Sequence, residues 1–386
     1  MTKRDIMLSV INHQENVIPS WTMAFFDIDT AKRLLGNNLI TDEYEPQKEY
    51  KYGASSKENI VKNIEYSNAL DNYAIGVGKG ANFAFGHCGP GEFLDRIIEE
   101  GGDYIISQYE TGVKKKTKKN PHFSYSFDYP LQTLDDLSEL SIPDAHNANR
   151  YAGIEDEIHI YKENGFFTYA NLNGIFSAIH YFFYPYDSLF MDMILNKESL
   201  KRLIRVISEF NLTAAESILR KGIDCIAFCD DLGDGRSLLF HPELYKELFF
   251  PYHKELSDLC HSYGAYVHMH SHGNIKKILP QIVETGIDIL NPIDPYEIGA
   301  FSEIKDEYGG KITLAGGINK FFFEWEEGPI REYLENLINI GRRNGGFILM
   351  DNGGIPENIT NDKLNFYLEI SRQLRYSDTN QEDDNV

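Results

Sequence analysis

The chain has 386 residues, of which 42% are hydrophobic and 25% are charged, so it can build a large core and is unlike a disordered protein. Its formal net charge of −22 disfavours nucleic acids and anionic membrane surfaces as partners, because both repel an acidic protein. The sequence contains no recognisable signal peptide, no apolar run of about 20 residues and no disulfide pattern, and we therefore expect a cytoplasmic protein.

The first 130 residues have an α+β pattern. Residues 3–13 and 57–72 are predicted to be helices, and residues 94–109 and 121–128, rich in Ile, Tyr and Phe, are predicted to be hairpin strands. A glycine-rich stretch between them lacks the phosphate-loop pattern and is interpreted as a structural loop. The basic run Lys114–Lys119 indicates a solvated face or, alternatively, a docking patch for an acidic partner.

From about residue 147 onward, helical stretches alternate with short apolar runs. These runs cover residues 166–170, 225–229, 266–270, 287–290, 312–315 and 347–350. Repeated strand–helix units require a parallel sheet, and at least six of them favour a closed (β/α)₈ barrel. We expect the barrel over residues 131–376, with residues 1–130 packed on it and residues 377–386 forming a disordered acidic tail.

A cluster of three histidines ends the third apolar run. Side chains at alternate positions share one face of a strand, so His268 and His270 can both point into the barrel mouth, where such barrels place their catalytic groups. The following loop can bring His272 back towards them. Imidazoles are frequent zinc ligands, and Asp231 or Asp351 could add an oxygen ligand. Alternatively, one or two of these histidines only form hydrogen bonds within the loop.

Two other sets of reactive side chains lie near strand ends. Asp230 and Asp231 are adjacent, so only one of these carboxylates can face the mouth, and the alternative role is a helix cap or a salt bridge. Cys225, Cys229 and Cys260 fall within predicted strands and helices and are interpreted as core packing.

The order and spacing of several motifs resemble the uroporphyrinogen decarboxylase superfamily. The resemblance covers much of residues 130–372 and rests on Asp230-Asp231-Leu232-Gly233, His241-Pro242-Glu243-Leu244-Tyr245, Pro251-Tyr252, His270-Ser271-His272-Gly273-Asn274, Gly286-Ile287-Asp288-Ile289-Leu290-Asn291-Pro292 and Gly345-Gly346-Phe347-Ile348-Leu349 with Gly354-Ile355-Pro356. It implies a (β/α)₈ barrel, in agreement with the pattern of strands and helices.

The superfamily's decarboxylases use an N-terminal Arg-Gln-Ala-Gly-Arg motif to hold substrate carboxylates. The equivalent stretch here, residues 19–27, has no arginine and contains Asp27. Such a site in so acidic a protein would repel a substrate with eight carboxylates. We therefore disfavour the decarboxylase, which is kept as the alternative interpretation. It would be metal-independent and would use Asp230 or Asp231 to stabilise a protonated intermediate.

The other main activity of the superfamily is cobalamin-dependent methyl transfer. Its thiol-methylating members bind zinc through a His-x-Cys pair and a later cysteine. The pair is matched here by His270 and His272, and the later cysteine would fall near Gly353, beside Asp351 and Asn352. The resemblance thus implies a zinc site at His270, His272 and Asp351, in which imidazole and carboxylate replace the thiolates.

This replacement changes the expected substrate. Neutral imidazoles with one carboxylate leave zinc electron-poor, which suits activation of an oxygen leaving group rather than a thiol. We therefore expect transfer of a methyl group from a methoxylated aromatic compound to cob(I)alamin, as in the similar substrate-side methyltransferases of anaerobic O-demethylation. Methylamines and betaine-like quaternary amines remain alternative donors.

The cobalamin is expected on a separate corrinoid protein, because Asp144-Ala145-His146 lacks the glycine of the cobalamin-binding signature. The chain itself is expected to form a homodimer. Substrate-binding side chains are predicted in the N-terminal aromatic stretch and beside the metal site; they are Trp21, Met23, Phe25, Asp27, His268 and Asn352.

Overall fold

The computed structural model describes residues 1–14, 17–22, 53–78, 96–119, 122–352, 354–356 and 359–376. The strands are β1 (Ser20–Trp21), β2 (Ala74–Gly76), β3 (Arg96–Glu100), β4 (Tyr104–Gln108), β5 (Lys114–Lys119), β6 (His122–Phe127), β7 (Phe167–Asn173), β8 (Cys225–Cys229), β9 (Tyr266–His270), β10 (Ile289–Ile293), β11 (Thr313–Gly317) and β12 (Phe347–Met350).

The α-helices are α1 (Lys3–Ile11), α2 (Lys57–Ala69), α3 (Ile154–Glu163), α4 (Ile175–Ala178), α5 (Tyr186–Leu195), α6 (Lys197–Leu219), α7 (Pro242–Leu248), α8 (Phe250–Ser262), α9 (Leu279–Glu284), α10 (Pro295–Ile298), α11 (Phe301–Tyr308), α12 (Glu327–Gly341) and α13 (Asn361–Tyr376). A π-helical segment, Ile179–Phe183, continues from α4. Among these described helices, none combines the length and apolar character needed to cross a membrane.

Eight parallel strands form the central sheet in the order β1-β12-β11-β10-β9-β8-β7-β2. The two ends of this order meet where the Tyr73 N–H donates a hydrogen bond to the Ser20 carbonyl at 3.0 Å. With helices between successive strands, the sheet is a (β/α)₈ barrel, and the predicted fold class is confirmed. The sequence had predicted that the barrel begins at residue 131. Its first two strands, β1 and β2, instead come from the N-terminal 130 residues.

The predicted strands agree closely with the observed ones. The apolar runs at 225–229, 266–270 and 347–350 coincide with β8, β9 and β12. β10 and β11 begin after the first apolar residue of their runs and continue into the polar or glycine residues beyond them. The hydrogen-bonded ladder, rather than hydrophobicity, sets where a strand ends, because neighbouring strands can pair polar residues as well as apolar ones.

Helix α1 closes one end of the barrel. It begins with a capping box, in which the side chains of Thr2 and Asp5 each bind the other's backbone N–H. Its apolar face packs with residues of the barrel interior, and the shared buried cluster contains Met7, Val10, Ile11, Trp21, Tyr73, Ala74, Phe167, Cys225, Ile289, Ala315, Ile348 and Met350. The opposite end of the barrel, at the carboxyl ends of the strands, is its mouth.

A four-stranded antiparallel sheet, β3-β4-β5-β6, is inserted between β2 and β7. The two predicted hairpin strands are confirmed as β3–β4 and β6, and the basic run Lys114–Lys119 forms the strand between them. Ser126 of β6 donates a hydrogen bond from Oγ to the Tyr181 carbonyl of the π-helical segment, and Tyr129, just beyond the sheet, donates from Oη to the His180 carbonyl.

Candidate metal centre at the mouth of the barrel

Three potential metal ligands meet at the carboxyl ends of two neighbouring strands. Cys229 ends β8, Asp231 follows two residues later, and His270 ends β9. Their ligand atoms all lie within 4.8 Å of one another. The parallel register of β8 and β9 pairs Cys229 with His270, which places the two side chains next to each other.

The position of Cys229 corrects the sequence interpretation. Cys225 and Cys260 are buried, as expected for core packing, but Cys229 is only half-buried and lies beside Asp231, with Sγ 4.0 Å from the carboxylate Oδ1. Cys229, the last residue of the strand, was assigned to the core because the run is apolar. In the barrel, the alternation along β8 instead turns the last side chain of the run towards the mouth.

Asn291 orients His270. The Nδ1 atom of His270 lies 2.6 Å from Oδ1 of Asn291, on the adjacent strand β10. Burial lowers the pKa of His270, and the neighbouring His272 lowers it further, although Asp231 and the hydrogen bond to Asn291 oppose the shift. The imidazole is therefore neutral near neutral pH, which is the form that binds a metal.

His272 lies next to this group rather than within it. Its ring centroid is 4.8 Å from that of His270, and its backbone N–H donates to Asp231 Oδ1 at 2.8 Å. Nδ1 of His272 is 3.2 Å from Oε2 of Glu297, which also accepts the Gly273 N–H at 2.8 Å. Burial alone would lower the pKa of His272, but the Glu297 hydrogen bond and the charge of Asp231 outweigh it and raise the pKa.

The two adjacent aspartates face opposite sides of the chain. Asp230 is fully buried and turned away from the mouth. Its Oδ1 accepts a hydrogen bond from the Ser177 N–H at 2.8 Å. Its Oδ2 lies 3.3 Å from Nε2 of His253, and Nδ1 of the same ring is 3.0 Å from the Tyr245 hydroxyl. These contacts fit the helix-capping role that the sequence left open, and a catalytic role of Asp230 stays a prediction.

Asp351 and Asn352, at the end of β12, have separate surroundings. Asp351 is buried, and its charge adds to the effect of burial in raising the pKa of Tyr169 to about 12. Asn352 donates a hydrogen bond from Nδ2 to Asp294. Within the part of the chain that the structure describes, the group of three potential ligands includes neither Asp351 nor His272.

His268 and Trp21 lie deeper in the barrel. Their rings are 4.8 Å apart, and Trp21 also contacts Tyr169 with a centroid separation of 4.7 Å. Burial lowers the pKa of His268 to about 3, and neither of its ring nitrogens has a hydrogen-bond partner among the described residues. The other predicted substrate residues, Met23, Phe25 and Asp27, lie outside the described residues.

An aromatic wall borders the mouth on the β7 side, and the sequence analysis did not predict it. Its central residue is His180, in the π-helical segment, whose ring lies 5.0 Å from that of Phe176 and 5.1 Å from that of Tyr186. Burial lowers the pKa of His180 to about 4, despite the opposing effect of the two carboxylates after β8, so its ring is neutral at neutral pH. No pattern in the sequence separates this histidine from its aromatic neighbours.

The roles of Asn291 and Glu297 were also missed. Asn291 directly follows the predicted strand 287–290, and Glu297 lies in the helix beyond it. Asn291 belonged to a quoted family motif, and its position opposite His270 could have been inferred by aligning the ends of β9 and β10. Glu297 lies in the short helix α10 and carried no signal of its own.

Residues 105–374 match the family model of uroporphyrinogen decarboxylase (URO-D). A methyltransferase from Methanosarcina mazei has a similar structure over 97% of this chain and 99% of its own, with 14% sequence identity and a TM-score of 0.67.

A B12-independent methionine synthase from Shewanella sp. W3-18-1 is similar over 95% of this chain and 99% of its own, with 10% identity and a TM-score of 0.51. At these identities, the likeness to both structures shows a shared fold. No curated protein matches the sequence.

Proposed function

The chain belongs to the uroporphyrinogen decarboxylase family, and from this premise we propose that it is a methyltransferase acting on methoxylated aromatic compounds. In this proposal, the methyl group passes to the cob(I)alamin of a separate corrinoid protein, and a zinc ion at the barrel mouth assists the reaction. The observation that carries the proposal is the convergence of Cys229, Asp231 and His270 on one point.

The donor set fits zinc. A thiolate, a carboxylate and an imidazole are all zinc ligands, and three protein ligands with one open position are typical of catalytic rather than structural zinc. The set differs from the predicted His270, His272 and Asp351 because it includes a thiol. When bound, zinc would supply Lewis-acid activation of the ether oxygen. A thiolate and a carboxylate together would balance its two positive charges and leave it less electron-poor than the predicted ligand set, so support for a methoxylated aromatic substrate comes from the aromatic surroundings of the mouth rather than from the charge on zinc.

The surrounding residues would hold these ligands in position. Asn291 directs the Nε2 lone pair of His270 away from β10, because its carbonyl oxygen accepts the Nδ1 proton. The backbone N–H of His272 fixes the Asp231 carboxylate. His272 is itself fixed by Glu297, so we assign it a positioning role beside the metal.

The mouth also offers surfaces for an aromatic substrate. The wall formed by Phe176, His180 and Tyr186 borders one side, and neutral His180 adds no charge to repel or attract the ring. Trp21 and His268 would form the floor beneath the metal, where the unpartnered nitrogens of His268 can bind a polar substituent.

Metal analysis tests the first half of the proposal. We expect about one zinc per chain in the purified protein and a clear loss in the His270→Ala and Cys229→Ser variants. The matched control is His261→Ala, which removes a half-exposed histidine at the amino-terminal side of β9. Equally low zinc in wild type and in both site variants would refute the metal site.

A methyl-transfer assay tests the second half. The protein is mixed with free cob(I)alamin and a panel of methoxylated phenols and acids, methylamines and betaine, and methylcobalamin is followed by absorbance. Formation of methylcobalamin from methoxylated aromatics is the expected result. Transfer only from amines would reassign the substrate, and no transfer from any donor, with carbon dioxide released from a porphyrinogen, would favour the decarboxylase.

A further inference from the structure

An exposed aromatic pair lies on the rim of the mouth, opposite the wall formed by Phe176, His180 and Tyr186. Tyr296, in α10 after strand β10, is 54% exposed, and Phe321, after strand β11, is 40% exposed. Their ring centroids are 5.3 Å apart with an interplanar angle of 84°, an edge-to-face contact. Two large aromatic side chains left this exposed at the end of a barrel offer a surface to a ligand.

A lysine covers this pair. Nζ of Lys320 lies 3.9 Å from the ring centroid of Tyr296 and 5.3 Å from that of Phe321. The contact holds the ammonium by a cation–π interaction, and the N–H groups that face away from the rings are available to an acceptor. Across the described ranges of the chain, no carboxylate forms an ion pair with Lys320.

The pair and its lysine are joined to the metal ligands by a short series of contacts. Tyr296 precedes Glu297, which binds His272, and the backbone N–H of His272 binds Asp231. Two carboxylates, those of Glu297 and Asp294, lie near enough to interact with the charge of Lys320. Glu297 accepts hydrogen bonds from His272 and Gly273, and Asp294 accepts them from the Tyr296 N–H and Asn352. Neither carboxylate forms a direct ion pair with Lys320 among the described residues, so the ammonium can still contact an anionic group of a ligand at the mouth.

We propose that Lys320, Tyr296 and Phe321 form a recognition site for aromatic carboxylates, with the carboxylate on the lysine and the ring against the aromatic pair. The ring's other side would then extend towards Cys229, Asp231 and His270, where an ether substituent would react. This inference rests on the proposed function and specifies its substrate as a methoxylated aromatic acid.

The same geometry disfavours the cationic donors that the sequence left open. A methylammonium or betaine-type nitrogen would be expected on an exposed aromatic face. The ammonium of Lys320 covers one face of Tyr296, and its charge would repel a second cation placed against the aromatic pair. A neutral methoxyarene would contact the rings but would gain nothing from the lysine.

Calorimetric binding tests the proposal without any turnover. The probes are 3-methoxybenzoate and 3-methoxybenzyl alcohol, which share the ring and the ether and differ in the charged group. We expect wild type to bind the acid about tenfold more tightly than the alcohol, as one exposed charge-assisted hydrogen bond would allow. Lys320→Met should abolish this preference. Raising the salt from about 0.1 M to about 0.5 M shortens the screening length roughly twofold and should weaken the preference.

Lys311→Met is the matched control. Nζ of Lys311 lies 5.5 Å from the ring centroid of Tyr308, so it is also a lysine over a tyrosine, but it precedes β11 and lies at the other end of that strand. This variant should keep the preference for the acid. Tyr296→Leu should weaken binding of both probes by a similar factor, because it removes the ring surface that they share.

Three outcomes would overturn the recognition site: wild type binds the two probes equally, the preference for the acid survives in Lys320→Met, or neither probe binds. Failure of the proposed function gives a different result. In that case the acid preference depends on Lys320 in the binding assay, yet no methylcobalamin forms. Transfer from neutral methoxyarenes, with no dependence on Lys320, would retain the function and reject the site.

Discussion

Nδ1 of His270 lies 2.6 Å from Oδ1 of Asn291, across the pairing of strands β9 and β10. An amide oxygen can only accept a hydrogen bond, so Nδ1 carries the proton and Nε2 retains its lone pair. Such partners commonly fix the tautomer and orientation of metal-binding histidines. The relationship predisposes His270 to bind a metal through Nε2.

Replacement of Asn291 should therefore weaken metal binding without removing a ligand. For Asn291→Ala we expect a loss of about 10–100-fold in zinc affinity, measured by competition with a chromophoric chelator. Asn211→Ala is the control, because Asn211 is equally buried and its amide binds the Asn173 carbonyl and the Tyr252 hydroxyl instead. If the zinc affinity falls equally in both variants, the loss reflects general destabilisation rather than the contact between Asn291 and His270.

Substitutions of the two adjacent aspartates should have different effects, one on the free energy of unfolding and the other on metal binding. Asp230→Ala leaves the buried Ser177 N–H and the His253 ring without their acceptor, which should cost about 1–3 kcal/mol of unfolding free energy for each orphaned group. Asp231→Asn keeps an oxygen for the His272 N–H and removes a metal ligand. It should lower zinc content while changing the unfolding free energy by less than about 1 kcal/mol.

Chemical denaturation and metal analysis of both variants check this separation. The assignment fails if Asp230→Ala loses zinc with an unchanged unfolding free energy, or if Asp231→Asn retains the zinc content of wild type.

The loops after β8 and β9 touch through two glycines. Gly273 has φ +89°, and a Cβ there would lie 2.1 Å from the carbonyl carbon of Gly233. Gly273→Ala should therefore displace one loop in addition to the cost of a left-handed alanine, about 1–2 kcal/mol. Gly264→Ala is the control, because Gly264 has φ +69° with no atom within 4 Å of an added Cβ.

The difference between the two variants in unfolding free energy isolates the loop contact. Gly273→Ala should be the more destabilised of the two and should bind less zinc, since the Asp231–His272 contact spans the same two loops. Equal unfolding free energies would mean that the loops move apart freely.

A pH dependence is expected from the pair His261 and Asp288, whose Nε2 and Oδ2 atoms are 2.9 Å apart. The hydrogen bond to Asp288 raises the pKa of His261 in the folded chain. A raised histidine pKa contributes stability that is fully present below the unfolded value of about 6.5 and is lost as the pH rises through the folded value. Solvent screens this half-exposed pair, so the contribution stays below about 1 kcal/mol.

Urea denaturation of wild type and His261→Gln at pH 5.5 and 8.5 measures the effect. The gap in unfolding free energy between the two proteins should be larger at pH 5.5. A gap that is the same at both pH values, or larger at pH 8.5, would contradict the assignment.

Much of the fold could be predicted from the sequence, because strand–helix alternation is a local property of the chain. Apolar runs followed by polar residues marked six barrel strands, and three of them coincide with the observed strands in full. The first two barrel strands escaped because they are only two and three residues long, too short for any periodic signal. Their place in the barrel depends on pairing with strands far along the chain.

The sequence by itself also determined which strand ends carry reactive side chains, since each polar residue after an apolar run must lie at the mouth of such a barrel. It identified His270 and Asp231 on this basis. Only the tertiary structure decided which of these side chains meet. The register of β8 against β9 places Cys229 beside His270, and the turn after β8 directs Asp231 towards them and Asp230 away. Register and side-chain direction are set by contacts between strands, which no local pattern records.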